Sequence, residues 1–423
     1  MGNKLKSIRG IHDGMPSEAI CWCYIEKVAR KVFAAYAFDE VRLPILEPTE
    51  LFVRSIGEAT DIVSKEMYRF EDRGGDDLCL RPEGTAGAVR AYLQAGLTRS
   101  GIQRWYYTGP MFRRERPQKG RLRQFQQIGV ELFGAAGPVE DAEVVAMAQQ
   151  IVDGLSIGDT HLEINSLGCP VCRPSYREYL VTYLQGKSNR LCETCQERIR
   201  KNPMRVLDCK VESCQQELTD APHILAHLCE DCDMHFSGLK QCLDTLSISY
   251  HVNPLIVRGL DYYNRTAFEV VTGRLGAQGT VIAGGRYDSL VEELGGPATP
   301  AVGFALGLER LAMLLPEMTP DGPDVAVVAL GEDAQSFALQ QADSLRKAGL
   351  RVVHCGAGSA KRLFKRADRE GARFVLVVGE DEIRNKAVTL KNMQDGSQQT
   401  VSSADALKLV KKAVASQSDQ LSQ

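Results

Sequence analysis

Segment 258–269, RGLDYYNRTAFE, sets two arginines, an aspartate and two tyrosines at the entry to a strand-like run. An arginine presents a planar fork of donors that matches phosphate or carboxylate oxygens. A second concentration lies at 102–134, IQRWYYTGPMFRRERPQKGRLRQFQQIGVELFG, where two strand-like runs flank the basic turn ERPQKGR. In the second run, alternation puts Arg123, Phe125, Gln127, Gly129 and Glu131 on one face. Ile128, Val130 and Leu132 point the other way, toward a core. An amide and a carboxylate flanking a glycine gap suit a small ligand with an amino group or an imidazole. An amphipathic outer strand usually carries Thr or Lys on its wet face, so this pattern reads as a site.

Arg113, just before the turn, is placed to aim its donors at a phosphate. Arg116, Gln118, Lys119 and Arg121 in the loop suit an incoming polyanion. LRPEGTAG (80–87) puts Glu83, Gly84 and Thr85 on an irregular segment, where they are either ligand groups or caps for the following helix. AVGFALGLERLAMLLP (301–316) carries Arg310 inside an apolar run, where an arginine must be paired or functional. Gly303 and Gly307 there leave room for a flat base against the backbone, and AGGRYDSL (283–290) brings Arg286. Glycine-rich phosphate loops are broken. A P-loop ending at Gly186-Lys187-Ser188 needs glycine at 181, which is valine. Gly356-Ala-Gly358 lacks the third glycine of a dinucleotide fingerprint and reads as a strand-to-helix turn. A nucleotide would have to be held by arginines on a sheet.

The elements that position these residues fall into blocks. Of 423 residues, 44% are hydrophobic and 25% charged, ordinary for a soluble globular protein, and the net charge of -3 gives no global pull toward nucleic acid. The N-terminus lacks a signal-peptide core, Lys6 breaks the myristoylation pattern, and no apolar run is long enough to span a bilayer. Thirteen cysteines with no export signal point to reduced thiols in the cytosol. Residues 1–167 mix helix and strand patterns. Residues 168–252 look like a Cys-rich insertion, and 253–316 return to strands. After the linker PEMTPDGP (316–323), three strands separated by helices predict a small doubly wound α/β domain over 324–423. Its segment with Lys361, Arg362, Lys365, Arg366 and Arg369 reads as a solvated helix face or a phosphate-contacting one. The fold class is therefore α/β and α+β multidomain. Near the start, Ser17–Tyr36 is amphipathic, with Ile20, Tyr24, Val28, Val32 and Tyr36 as its stripe. It feeds VRLPILEP, a strand broken by Pro44, which suits either core or a dimer seam.

FRRERPQKGRLRQFQQIGVELFG resembles the second signature motif of class II aminoacyl-tRNA synthetases (102–134), and GFALGLERL the third (301–316). The element around Pro44 sits where the first belongs, about 17–50. RGLDYYNRTAFE and AGGRYDSL resemble two peptides particular to the histidyl-tRNA synthetases. The resemblance implies a catalytic core over 1–320 with a six-stranded antiparallel sheet, interrupted by the 168–252 insertion. It also implies a homodimer through the first motif and an anticodon-binding domain over 324–423. The implied reaction joins L-histidine to ATP, carried as its Mg2+ complex, and passes histidine to the 3′ end of tRNA-His. On this chain, Arg113 would bind the α-phosphate, Arg310 the γ-phosphate, and Arg258 the other side of the α-phosphate. Glu83, Thr85 and Gln127 would hold the α-amino group, and Gly84 would join them in the histidine site. Glu131 and Tyr263 would pair with the two imidazole nitrogens, with Tyr262 nearby. Arg116 and Gln118 would meet the tRNA acceptor end. The rival reading within the same ancestry is the synthetase-like regulatory subunit of ATP phosphoribosyltransferase. Such proteins lack the anticodon-binding domain and degrade the arginine set, and this chain keeps both.

The insertion holds CPVC (Cys169, Cys172), CETC (Cys192, Cys195), Cys209 with Cys214, CEDC (Cys229, Cys232), and Cys242. Paired Cys-x-x-Cys units have the spacing of zinc knuckles. Two pairs make one structural zinc site and four make two, with the pairing left open. The alternative is a set of buried reduced thiols.

Overall fold

The computed structural model describes residues 5–57, 60–118 and 120–418, and the chain divides into two units, 1–318 and 319–423. The strands of the first unit, in chain order, are β1 (Asp39–Glu40), β2 (Leu46–Pro48), β3 (Tyr68–Glu71), β4 (Asp77–Leu80), β5 (Gln103–Phe112) and β6 (Gln124–Phe133). They continue as β7 (Thr160–Ser166), β8 (Tyr250–Val252), β9 (Asn264–Thr272), β10 (Thr280–Arg286) and β11 (Ala301–Gly307). Eight of them form one sheet in the order β1-β5-β6-β11-β10-β9-β7-β8. Its six inner strands are antiparallel throughout. Parallel pairing occurs only at the edges, between β1 and β5 and between β7 and β8. The expected six-stranded core is thus present and widened by two short edge strands, each too brief to leave a pattern.

Alternation along β6 divides the interior. Ile128, Val130 and Leu132 enter a core packed under helices Pro16–Ala35, Pro138–Gly154 and Glu230–Thr245. Tyr107, Phe133, Tyr262 and Tyr263 belong to a second core on the other face, with helix Thr85–Gln94. In helix Pro16–Ala35 the buried residues are Cys21, Ile25, Ala29, Val32 and Phe33. The expected stripe stepped strictly by four and so drifted round the helix, which turns every 3.6 residues. Of that stripe, Val32 is buried, while Ile20, Tyr24, Val28 and Tyr36 flank the contact half-exposed. The chain around Pro44 is irregular between β1 and β2, as the proline requires.

The second unit contains β12 (Val325–Ala329), β13 (Val352–Ala357), β14 (Phe374–Val378), β15 (Ala387–Asn392) and β16 (Gln398–Ser402). The sheet order is β13-β12-β14-β15-β16. The first three are parallel, as expected, but β15 and β16 add an antiparallel hairpin. The sheet is therefore mixed. β16 is polar and almost wholly exposed, so no apolar alternation marked it. The five basic residues from Lys361 to Arg369 lie on helix Ala360–Arg369, all exposed.

Candidate active site

A cavity of about 280 Å3 opens over the second face of the large sheet. Its lining includes Glu83, Thr85, Arg113, Gln127, Arg258, Tyr262, Tyr263 and Arg310, residues drawn from four separate sequence segments. Three antiparallel strands explain the convergence. Register sets Gln127 of β6 opposite Gly307 of β11, and Ala305 of β11 opposite Ala283 of β10. The small residues in the middle keep the floor low.

Each arginine is held differently. Arg113 donates through Nε to the Pro82 carbonyl at 2.9 Å and lies over the Phe125 ring. Arg310 donates to the carbonyls of Thr280 at 2.8 Å and Gly120 at 3.2 Å. Burial lowers the Arg310 pKa, and Arg121 and Arg113 lower it further, while Glu115 and Glu269 pull it the other way. Arg258 bonds Glu269 at 2.7 Å and lies over the Tyr263 ring, 4.9 Å from its centroid. Burial alone would lower its pKa, but Tyr263 and Glu269 outweigh that and raise it. Three buried polar atoms around this one cavity have no partner in the protein: Gln127 Oε1, Arg258 Nε and the Tyr262 hydroxyl. A buried polar group without a partner costs about 1–3 kcal/mol, so a fold keeps several together where a ligand completes them.

Glu83 is both cap and lining. Its carboxylate accepts from the backbone N–H of Thr85 at 2.6 Å and of Ala86 at 2.9 Å, at the start of helix Thr85–Gln94. Burial raises its pKa despite those bonds. Gly84 does not line the cavity, and a Cβ there would overlap the Tyr107 ring. The space above Gly129 is likewise filled by Tyr107, and that above Gly303 by the Val130 carbonyl and the Glu131 carboxylate. Of the glycines expected to leave room, Gly307 is the one that does, with nothing within 4 Å of a Cβ built on it. Glu131 lies beneath the floor, 1% exposed, accepting from the Tyr107 hydroxyl at 2.9 Å and from the Tyr287 hydroxyl. Burial pushes its pKa up to about 8, against the opposing pull of Tyr287, Thr85 and Tyr107.

Arg116 lies outside the cavity, in a separate hollow with Arg9, Lys65, Arg114 and Arg123. Gln118 is exposed in the same loop and lines neither space. Lys119 falls outside the described residues. Asp261 accepts from Asn202 at 2.9 Å, and Arg265 adopts a positive φ where the chain enters β9. The six zinc candidates separate into two places: Cys169, Cys172, Cys229 and Cys232 meet in one, and Cys192 and Cys195 meet Cys209 and Cys214 in the other. Both clusters have the ligand types to hold a metal.

Sequence reasoning missed Tyr107, Glu269, Thr280 and Glu309. Glu269 bonds both Arg258 and, at 2.7 Å, the Thr280 hydroxyl. Glu309 lines the cavity and accepts from the Gln126 N–H at 2.7 Å, and burial pushes its pKa up to about 7. Tyr107 was within reach: once β5 and β6 are paired as a hairpin, it falls opposite Gly129.

A six-stranded antiparallel sheet that gathers arginines, carboxylates and tyrosines onto one helix-backed face is the catalytic fold of class II aminoacyl-tRNA synthetases. Comparison with known proteins narrows the class. The family model described as Histidyl-tRNA synthetase matches residues 10–311, and the Anticodon binding domain model matches 324–413. The Histidine--tRNA ligase of Trichlorobacter lovleyi is 48% identical over 400 residues, covering 94% of this chain and 96% of that protein. The Histidine--tRNA ligase of Thermodesulfovibrio yellowstonii is 49% identical over 414 residues, covering 97% and 99%. The crystal structure of apo S. aureus histidyl-tRNA synthetase is 35% identical, with a TM-score of 0.79, covering 96% of this chain and all of that one. The chain belongs to the histidyl-tRNA synthetase family. The anticodon-binding match favours a synthetase over the regulatory subunit.

Proposed function

We propose that this chain activates L-histidine with ATP and transfers it to the 3′ end of tRNA-His. In the first step a histidine carboxylate oxygen attacks the α-phosphorus of ATP, and pyrophosphate leaves as histidyl-adenylate forms. In the second, a hydroxyl of the terminal adenosine attacks the adenylate carbonyl, and AMP leaves. Mg2+ arrives with the nucleotide as part of the substrate.

The observation that carries this reading is the set of unpartnered buried atoms around one cavity, Gln127 Oε1, Arg258 Nε and the Tyr262 hydroxyl. Gln127 Oε1 accepts from the α-amino group, with Glu83 and Thr85 beside it. Arg113 and Arg258 flank the α-phosphate, where charge develops as pyrophosphate departs, and preorganised donors there act in a water-poor site. Arg310, which lines the cavity beside Arg121, takes the γ-phosphate. Tyr263, which lines the cavity, takes one ring nitrogen, and Glu131 takes the other once the Tyr107 and Tyr287 hydroxyls that cover it beneath the floor give way. Such a pocket rejects other side chains by leaving its polar groups unpaired.

Arg116 and Gln118, outside the cavity, meet the tRNA acceptor end. The exposed basic face of helix Ala360–Arg369 contacts tRNA phosphates within an anticodon-binding domain over 324–423. The catalytic core spans 1–320, with 168–252 as an insertion. Homodimerisation runs through 17–50, where Ile45 and Leu46 are exposed apolar residues. No described helix is long and apolar enough to cross a membrane, and we place the protein in the cytoplasm.

The test is pyrophosphate exchange with each amino acid in turn. Stimulation by histidine alone is expected. Stimulation by a different amino acid overturns the specificity, and silence with all of them favours the regulatory-subunit reading.

A further inference from the structure

Of the nine cysteines in 168–252, eight fall into two sets of four, and Cys242 stands outside both. Within each set the four Sγ atoms lie within 4.8 Å of one another. A tetrahedral zinc ion with Zn–S bonds of about 2.3 Å spaces its sulfurs about 3.8 Å apart. The separations are 3.6 Å for Cys169–Cys172, 3.8 Å for Cys169–Cys229 and 3.9 Å for Cys192–Cys209. Buried thiols serving only as small apolar groups would pack against aliphatic side chains. Here sulfur faces sulfur, twice, in fours.

The surroundings suit thiolates. Backbone N–H groups donate to sulfur from Val171 to Cys169 at 3.4 Å, from Cys229 to Cys172 at 3.1 Å, and from Cys192 to Cys214 at 3.2 Å. Cys172, Cys192 and Cys229 each stand at the N-terminal end of a helix, where partial positive charge accumulates. The insertion's own apolar core is small and itself includes Cys195, Cys209 and Cys214. A segment with so little core gains most from a metal cross-link.

We propose that segment 168–252 carries two nested structural tetrathiolate zinc sites, and that the outer one, Cys169/Cys172/Cys229/Cys232, holds the Tyr262–Tyr263 wall of the cavity in place. The outer site closes the neck of the insertion. Arg173 follows Cys172 directly. Its Nε donates to the Leu167 carbonyl at 3.1 Å, and its Nη2 donates to the Tyr263 carbonyl. The same turn is stitched to β9 by Leu167 N–H to the Arg265 carbonyl at 2.6 Å and Arg265 N–H to the Gly168 carbonyl at 2.8 Å. A metal that fixes Cys169 and Cys172 therefore fixes Arg173, and through it the backbone of Tyr263. The inner site organises the helix Glu193–Lys201 within that frame.

Metal analysis of the full-length protein, expressed with ample zinc, is expected to find two zinc ions per chain. C232S and C195S should each retain one, and C242S two. Wild-type protein with less than half a zinc per chain, or with iron in place of zinc, overturns the assignment. Cobalt exchange into the wild type checks it without any variant: tetrahedral thiolate bands are expected, and their absence is a refutation. For the positioning role, R173A should keep two zinc ions yet raise the KM for histidine in pyrophosphate exchange more than it lowers kcat. An unchanged KM overturns that role. This last arm rests on the histidine-activation reading, whereas zinc content does not, so the two failures are distinguishable.

Discussion

Arg258, in the loop that leads into β9, and Arg286, at the end of the paired strand β10, live in opposite conditions. Arg258, before β9, has one carboxylate partner, one aromatic face, and an Nε with no partner. Arg286, at the end of β10, is 0% exposed and bonds through all three nitrogens, to Asp141, Asp288 and the carbonyls of Ala135 and Gly137. Asp141 also accepts from Thr266 and bonds His235 at 2.8 Å. Burial pushes the Asp141 carboxyl up, but His235 and Arg286 prevail and hold it below the usual range. A saturated arginine ties strands and helix together. One left with a donor to spare is reserved for something that arrives.

The largest effect expected from this contrast is on stability. Asp141→Asn removes the more buried of the two carboxylates that balance Arg286 and should cost about 3 kcal/mol, because Asp288 alone is left to balance a fully buried ion. Urea unfolding at neutral pH measures it. The depressed carboxyl contributes above its unfolded pKa, so the gap between wild type and variant should shrink as pH falls through the folded value. A loss below about 1 kcal/mol would mean that the knot is no more than a surface ion pair.

Next in size is Arg258→Ala. If Arg258 stabilises charge at the α-phosphate as proposed, histidine-dependent pyrophosphate exchange should fall by about 100- to 1000-fold. Unfolding stability and histidine binding should change little by comparison. Near-normal exchange would remove Arg258 from the mechanism and erase the contrast with Arg286.

The two arginines were not separable in the sequence. Both sit in polar peptides beside strands, and what distinguishes them is the set of partners supplied by Asp141 and Ala135, more than a hundred positions away from Arg286. The strand faces were legible, because period-two alternation placed Gln127 and Glu131 on one side and Ile128 and Val130 on the other. Depth along that face was not. Gln127 meets the cavity, while Glu131, four residues on, is sealed beneath Tyr107 and Tyr287, one from a neighbouring strand and one from just beyond β10. Cys-x-x-Cys spacing announced metal-type pairs. Which pair meets which depends on how residues 168–252 fold back, and no local pattern encodes that. Strands of two or three residues and the polar β16 carried too little signal to read.

Glu131 is the intermediate case, and its titration decides which side of the contrast it joins. Burial raises its pKa to about 8, so in the folded chain it is mostly protonated at neutral pH, whereas in the unfolded chain it is ionised. A raised carboxyl pKa means stability present at low pH and lost as pH rises toward the folded value. The ceiling is about 1.4 kcal/mol per pH unit. Glu131→Gln removes the titration while keeping the size. Relative to wild type, the variant should therefore gain on the order of 2 kcal/mol between pH 5 and pH 8. Urea unfolding at both pH values reads the difference. If it is flat, the tyrosine hydroxyls already hold Glu131 as a satisfied anion, and it belongs with Arg286. If it rises, burial outweighs the two tyrosine bonds, and the group is kept uncharged and costly to ionise beneath the floor.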